Sequence, residues 1–299
     1  MGQLSPQTIG HLSMLLFSAL VAGSFSLGGM AANEIAPAAL NAVRFALGAG
    51  IMTGIGLATT GLPRAAFAAP WRYVVLGGLF ASYFVMMFEG LKTASPVSAA
   101  AVFTLTPIMT AAFGWLILRQ VTTPRLALGL SIGAIGAVWV IFRADWQLLR
   151  AFQVGTGEFI YFWGCMAHAI YIPLLRKLNR GEPAVVFTLG ILVAGCIVLI
   201  AYGWRDILAT DWMALPGIVW ITLAYITIFA TTATFLLLQV ATLRLPAAKV
   251  MAYTYLTPSW VICWEIALGQ GAPPLRILFG VVFTVIALLL LLKDDSRPA

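Results

Sequence analysis

Thr104-Leu105-Thr106-Pro107 recurs in altered form as Tyr255-Leu256-Thr257-Pro258, and each segment interrupts a long apolar stretch of the chain. The shift of 151 residues that superposes Pro107 on Pro258 also superposes other turn and packing residues. These pairs are Arg125 with Arg276, Gly129 with Gly280, and Gly133 with Thr284. The sequence therefore predicts an internal repeat, with residues 1–150 as the first copy and residues 151–299 as the second.

The composition places this repeat in a membrane. The chain is 62% hydrophobic and only 9% charged, and its mean hydropathy is +0.99, so its apolar surface exceeds what a soluble core could bury. A span needs about 20 apolar residues. Ten such spans are predicted, at residues 9–32, 36–57, 71–91, 97–118, 125–142, 155–175, 185–203, 216–240, 247–268 and 274–292.

Each copy of the repeat then contains five spans, and an odd number of spans inverts the second copy relative to the first. Inverted repeats with interrupted helices are typical of secondary transporters, which bind their substrates near the middle of the membrane. The expected fold is an all-α membrane protein in which two inverted five-helix repeats surround a central cavity. The expected function is transport.

The basic residues predict the orientation. Of the 17 Lys and Arg residues, eleven fall on the side of the N-terminus and six on the other side. The positive-inside rule therefore places both termini in the cytoplasm. This topology accounts for the net charge of +7, and the scattered basic residues do not form the clustered face that nucleic-acid binding needs.

No cofactor, metal or catalytic site is predicted. The three cysteines fall inside predicted helices and are expected in the core, and their spacing does not indicate a metal site. We find no nucleotide-binding motif and no nucleophile with a partner base, so the chain is not expected to be an enzyme. A channel or a small-molecule receptor remains an alternative to a carrier.

The sixth span carries a polar face. Tyr161, Gly164, His168 and Tyr171 follow spacings of three, four and three residues, which places them on one side of a helix. His168 lies near the predicted midplane, where it is either a neutral group bonded to another helix or a proton carrier or substrate ligand. Trp163 is one residue off this face, and either closes a pocket or meets lipid.

Other spans add aromatic and hydroxyl groups. Phe80 and Tyr83 share a face of the third span, Thr231 lies on the eighth, and Trp260 lies on the ninth. Such faces also occur in ordinary helix packing. Together they predict a cavity with aromatic walls and few hydroxyls, which suits an apolar or neutral solute.

Three charged residues are candidates for transport chemistry. Arg44 lies inside the second span, where it either anchors the structure or recognises a carboxylate. Glu89 and Glu265 lie near the outer ends of their spans, where water solvates them unless they carry protons together with His168.

Two prolines are predicted hinges. Pro107 and Pro258 stand near the middle of the fourth and ninth spans. Each removes a backbone hydrogen bond and bends its helix. Their matching positions favour a role in movement.

Three segments resemble the drug/metabolite transporter superfamily, in its ten-helix EamA-type branch. They are residues 37–45 (PAALNAVRF), residues 89–100 (EGLKTASPVSAA) and residues 258–265 (PSWVICWE), and the resemblance covers nearly the whole chain. It implies two inverted halves that work by alternating access. It also places the family's motif arginine at Arg44 and its motif glutamate at Glu265. The glutamate of the first half is replaced by Gly114.

Within this branch the chain is most similar to YddG-type exporters of aromatic and other neutral amino acids or related metabolites. That similarity implies a bacterial inner membrane, with membrane lipids around the protein. The small residues one turn apart, Gly129 with Gly133 and Gly280 with Thr284, permit close helix contact within the bundle or between subunits, so a monomer or a homodimer is expected. Small neutral or aromatic amino acids are the expected substrates. Hydrophobic or cationic drugs are the alternative, although a cation usually calls for a buried carboxylate.

Overall fold

The computed structural model describes residues 5–121, 123–242, 244–245, 250 and 252–292. This part of the chain contains helices and no β-strand. The helices are α1 (Pro6–Ala31), α2 (Pro37–Thr59), α3 (Trp71–Leu91), α4 (Pro96–Phe103), α5 (Thr106–Leu118), α6 (Pro124–Ile141), α7 (Trp146–Arg150), α8 (Thr156–Leu178), α9 (Ala184–Ala209), α10 (Gly217–Thr227), α11 (Thr234–Thr242), α12 (Thr257–Ala267) and α13 (Leu275–Leu292). Short 3₁₀ helices cover Arg64–Phe67 and Tyr253–Leu256, and a π-helical turn covers Ile228–Ala233.

Proline and hydroxyl residues define several helix starts. The first turns of α1, α2, α4, α5 and α6 each contain a proline, which needs no hydrogen-bond partner there. The side chains of Ser5, Ser95 and Thr123 accept the backbone N–H three residues on.

Nine stretches among the described residues are long and apolar enough to cross a membrane, counting α4 with α5 and α10 with α11 as one stretch each. They fall where nine of the predicted spans were expected. The remaining predicted span, residues 247–268, lies partly outside the described residues, as do Lys249, Lys293 and Arg297, which were used to predict orientation. Its described part consists of the 3₁₀ turn Tyr253–Leu256 and α12.

The two halves of the chain pack against each other along three main helix pairs. These are α2 with α9, α3 with α8, and α6 with α13. The α3 and α9 backbones touch at Gly77 and Gly195, where a methyl group on Gly77 would overlap the other helix. The largest hydrophobic core contains residues from all six of these helices. We call the end of the bundle where α1 begins the amino-terminal end.

Three details differ from the predicted helices. The fourth span is two helices rather than one bent helix, because the chain turns at Thr104 and Leu105 before Pro107 enters the first turn of α5. The eighth span begins after Pro216 as expected but contains the π-helical turn. The expectation that all three cysteines lie in the core was wrong, because Cys263 is exposed on α12.

Candidate functional site

An aromatic cluster occupies the interface between α3 and α8. The ring centroid of Tyr83 lies 4.6 Å from that of His168, and Phe80 stacks on Tyr171 at 5.0 Å. These four residues were predicted from two separate helix faces, and the structure brings them together. The cluster also includes Phe25, Phe45, Phe84, Phe103 and Tyr161.

Two polar groups inside this cluster have different surroundings. The Tyr161 hydroxyl donates a 3.1 Å hydrogen bond to the Tyr83 hydroxyl, and both residues are buried. His168 Nδ1 is also buried but has no hydrogen-bond partner among the described residues. A buried polar atom without a partner costs about 1–3 kcal/mol. His168 therefore offers an unused hydrogen-bonding atom inside an aromatic surface.

Arg44 joins this cluster from α2. Its side chain is 1% exposed, and its guanidinium carbon lies 3.7 Å from the centre of the Phe84 ring. Such a cation–π contact stabilises a desolvated cation by about 2 kcal/mol. Because Phe84 lies 4.7 Å from Tyr83, the contacts run without a gap from Arg44 to His168.

The Arg44 guanidinium is bound only by neutral acceptors in the described part of the chain. Nε donates to Thr231 Oγ1 at 3.0 Å, Nη2 donates to the Ala230 carbonyl at 3.3 Å, and Nη1 donates to Asn41 Oδ1 at 3.5 Å. Ion pairs among the described residues join Arg72 with Glu182 and Lys92 with Glu89, and neither includes Arg44. A buried cation is stable only when it is paired or fully bonded. Arg44 is therefore suited to bind an anionic group.

A cavity of about 280 Å³ lies between α5, α6, α8 and α13. It begins at Pro107 and reaches Arg176 near the amino-terminal end of the bundle. Ile172, next to Tyr171 on α8, is part of its wall. The lining is mainly apolar, with Thr110, Gln120 and Arg176 as its polar members. None of the described residues that line this cavity belongs to the aromatic cluster.

The two predicted hinge prolines occupy equivalent backbone positions. Each is in the first turn of its helix, Pro107 in α5 and Pro258 in α12. The capping residues before them have almost the same backbone angles: φ −76° and ψ −17° at Leu105, and φ −80° and ψ −13° at Leu256. The chain is interrupted in the same way in both halves.

Two other predicted site residues, Trp163 and Trp260, make no ring contact with the cluster among the described residues, although Trp260 packs against the same hydrophobic core. Trp163 is 50% exposed and packs only against Phe159 and Phe162 of its own helix among the ring contacts of the described residues. Trp260 on α12 donates its indole N–H to Ser18 Oγ of α1 at 3.0 Å. The structure therefore places Trp163 on the outside of the bundle.

The two predicted acids also lie near helix ends. Glu89 is 42% exposed and accepts a 2.8 Å hydrogen bond from Lys92. Glu265 is partly buried near the end of α12. The sequence analysis missed a buried acid, Glu158, which accepts a 2.7 Å hydrogen bond from the Ser98 hydroxyl. Its position in the first turn of α8 was the only sequence signal for it.

Comparison with known proteins agrees with this architecture. The sequence model of the EamA-like transporter family matches twice, over residues 8–142 and 155–293. A Bacillus subtilis (strain 168) protein named Uncharacterized transporter YyaM is 26% identical over 266 residues, covering 88% of this chain and 86% of that protein. Another protein of that strain, Uncharacterized transporter YcbK, is 33% identical over 154 residues, which cover 48% of this chain and 46% of YcbK.

A solved crystal structure shares the fold. It superposes with a TM-score of 0.69 at 20% sequence identity, and the alignment covers 99% of this chain and 100% of the other. The two family matches leave only the chain ends and residues 143–154 uncovered. The resemblance to the drug/metabolite transporter superfamily is thus confirmed: this multi-pass membrane protein belongs to the EamA-like transporter family.

Proposed function

We propose that this transporter exports aromatic and other neutral amino acids, or related metabolites that carry a carboxylate. The observation that supports this proposal most is the environment of Arg44. Its guanidinium lies on an aromatic ring inside the bundle, and its described partners are all neutral. A substrate carboxylate supplies the negatively charged partner that this guanidinium lacks among the described residues.

The aromatic cluster supplies the apolar part of the proposed site. Phe84 touches Arg44, and Tyr83, His168 and Tyr171 extend the surface away from the charge. An aromatic side chain gains about 0.5–1.5 kcal/mol from each well-placed ring contact beyond the burial of its area. Arg44 would thus hold the carboxylate while the rings hold the side chain, and His168 Nδ1 would bond a polar group of the substrate.

The proposed mechanism is alternating access between two inverted halves, residues 1–150 and 151–299. The double match to the family model and the matching breaks at Leu105 and Leu256 support the repeat. The inverted arrangement is supported by helix pairing, because α2 and α9, like α6 and α13, are equivalent helices that contact each other across the halves. Pro107 and Pro258 would serve as hinges.

We propose that both termini lie in the cytoplasm, on the distribution of basic residues, and that the membrane is a bacterial inner membrane, on the resemblance to YddG-type exporters. In this orientation the Arg176 end of the cavity lies on the cytoplasmic side, from which an exporter takes its substrate. The positive charge of Arg176 at that end would attract a carboxylate.

Uptake into proteoliposomes tests this function. The purified protein would be given radiolabelled L-phenylalanine, L-tryptophan or tryptamine, with and without a pH gradient. Saturable uptake of the two amino acids, lost in Arg44→Ala and partly kept in Arg44→Lys, is expected. Transport of tryptamine in preference to L-tryptophan would contradict the proposal and favour cation efflux.

The pH gradient separates two energy sources. Uptake at zero gradient indicates a facilitator that follows the amino-acid gradient. Uptake that needs the gradient assigns proton coupling to His168, Glu89 or Glu265, which Gln or Ala variants would then distinguish.

A further inference from the structure

The π-helical turn Ile228–Ala233 interrupts the long helix formed by α10 and α11. Two side chains in it reach back five residues to the backbone. Thr231 Oγ1 donates to the Ile226 carbonyl at 2.8 Å, and Thr232 Oγ1 donates to the Thr227 carbonyl at 3.0 Å. A π turn misaligns the backbone hydrogen bonds of a helix and often lies at a functional site. This turn is therefore held in part by side-chain contacts.

Arg44 on α2 donates two hydrogen bonds to this turn, which also packs against α1. Its Nε atom donates to Thr231 Oγ1 and its Nη2 atom donates to the Ala230 carbonyl, at 3.0 and 3.3 Å. Arg44 and Thr231 are 187 positions apart in the chain, so the bond connects the two halves. The guanidinium thus fixes the π turn onto α2.

A carboxylate is a stronger partner for this guanidinium than a hydroxyl or a carbonyl. The present bonds of Arg44 have a charged donor but a neutral acceptor, whereas a carboxylate adds the attraction of an opposite charge, and its two oxygens match the fork of a guanidinium. The Thr231 hydroxyl accepts from Nε and the Ala230 carbonyl accepts from Nη2, so both groups already use donors of this guanidinium. Nε has a single N–H, which Thr231 accepts, so a carboxylate that binds side-on to Nε and Nη2 must displace the Thr231 hydroxyl.

We propose that the substrate carboxylate and the π turn compete for Arg44, so that substrate binding releases the turn from α2. This inference rests on the proposed function and adds a coupling step to it. Thr231 is then a positioning residue: it holds Arg44 before the substrate binds and does not contact the substrate. A Thr231 that contacts the substrate directly would instead be a ligand. Release of the turn frees the long helix to bend, which links binding to the movement of the second half.

Two isosteric variants separate these roles. Thr231→Val removes the hydroxyl that holds Arg44, and Thr232→Val removes the neighbouring hydroxyl, which is equally buried but bonds only the Thr227 carbonyl among the described residues. Binding of L-phenylalanine would be measured by calorimetry and its transport by uptake. Competition predicts that Thr231→Val lowers Kd about tenfold, the equivalent of one hydrogen bond to a charged group, and slows uptake. Thr232→Val should leave Kd unchanged.

Hydrogen–deuterium exchange gives a second measurement. L-phenylalanine should raise amide exchange at residues 228–235 of the wild type, and Arg44→Lys should raise it without ligand. A higher Kd in Thr231→Val would show direct contact and overturn the competition, while the proposed function would stand. Unchanged exchange in Arg44→Lys would overturn the tethering of the turn. No L-phenylalanine binding to folded wild type would overturn the proposed function and, with it, the competition.

Discussion

Gly136 on α6 and Gly280 on α13 meet backbone to backbone. A methyl group on Gly136 would lie 2.5 Å from the Gly280 carbonyl oxygen, and one on Gly280 would lie 2.7 Å from the Gly136 carbonyl oxygen. The small residues one turn away, Gly133 and Thr284, are buried as well. Small residues allow membrane helices to approach closely. In this chain they join the two halves of one molecule, and these faces are occupied within it.

Gly136→Ala should therefore destabilise the protein. A backbone oxygen cannot move aside like a flexible side chain, so overpacking should cost about 1–3 kcal/mol and lower the Tm in detergent. Gly54→Ala on α2 is the matched control, because nothing lies within 4 Å of its added methyl group. That variant should keep or slightly raise the Tm. Equal Tm values for the two variants would show that α6 and α13 do not meet as described.

The helix breaks and the close helix contacts could be predicted from the sequence because proline and small residues have strict positional requirements, whereas the inverted repeat that they suggest stays a prediction. A proline must stand where a helix is interrupted, and a glycine where two backbones touch, so Pro107 and Pro258 remained at matching positions. The side chains inside the site are less constrained. Lipid chains are as apolar as the core, so hydropathy does not distinguish a buried face from a lipid-facing one. For this reason the sequence left open whether Trp163 closes a pocket or meets lipid, and the structure places it on the outer surface.

Arg72 and Glu182 form a buried ion pair. Arg72 donates to Glu182 Oε1 at 2.7 Å and to the Leu178 carbonyl at 2.6 Å, which ties the start of α3 to the loop between α8 and α9. Burial acts to raise the pKa of the Glu182 carboxyl, but hydrogen bonds from Arg72 and from the Arg180 backbone N–H outweigh it. The pKa is therefore lowered from its ordinary value of 4.5.

The sign of the pH effect follows from this lowered pKa. The stabilisation is present above pH 4.5 and is lost as the pH falls from there through the lower pKa of the folded state. Glu182→Ala should remove about 3 kcal/mol at pH 7, because it leaves Arg72 buried without its charged partner. The Tm of this variant should change less than that of the wild type between pH 7 and pH 3.5.

Glu89→Gln is the control for this pair. Glu89 is 42% exposed and pairs with Lys92 at the other end of the bundle, so its loss should cost less than about 1 kcal/mol. An equal loss of stability in Glu182→Ala and Glu89→Gln would argue against a special role for the buried pair.

The third prediction concerns the aromatic cluster on α8. His168→Ala or Tyr171→Ala should slow amino-acid uptake about tenfold, because each removes ring contacts worth up to about 1.5 kcal/mol to the bound solute. Trp163→Ala changes an aromatic residue of the same helix that faces outward. It should transport at the wild-type rate. Unchanged kinetics in both cluster variants, with normal membrane insertion, would remove this face of α8 from the transport path.

Arg44 shows why the partners within the site could not be predicted. Its position inside the second span was evident, but Thr231 lies 187 residues away, in a π turn that no sequence periodicity indicates. The turn depends on contacts with other helices, and the sequence of its own helix gives no sign of them. Local pattern thus identified Arg44 as a candidate, and only the packed structure identified its neutral partners.

The last prediction addresses the breaks before Pro107 and Pro258. At Pro107 the chain leaves α-helical bonding, and the Leu105 N–H donates to the Val102 carbonyl three residues back. A proline also collides with the carbonyl four residues earlier, so it keeps α4 and α5 separate. Pro107→Ala restores the missing N–H and removes the collision. It should let the two helices join and slow uptake about tenfold. The Kd should stay unchanged, and the Tm should stay unchanged or rise.

Pro258→Ala should act in the same way if the halves are equivalent. Pro124→Ala replaces a proline at the ordinary start of α6, where no helix precedes it directly, and should leave uptake unchanged. Wild-type uptake by both Pro107→Ala and Pro258→Ala would mean that the breaks shape the bundle without acting as hinges.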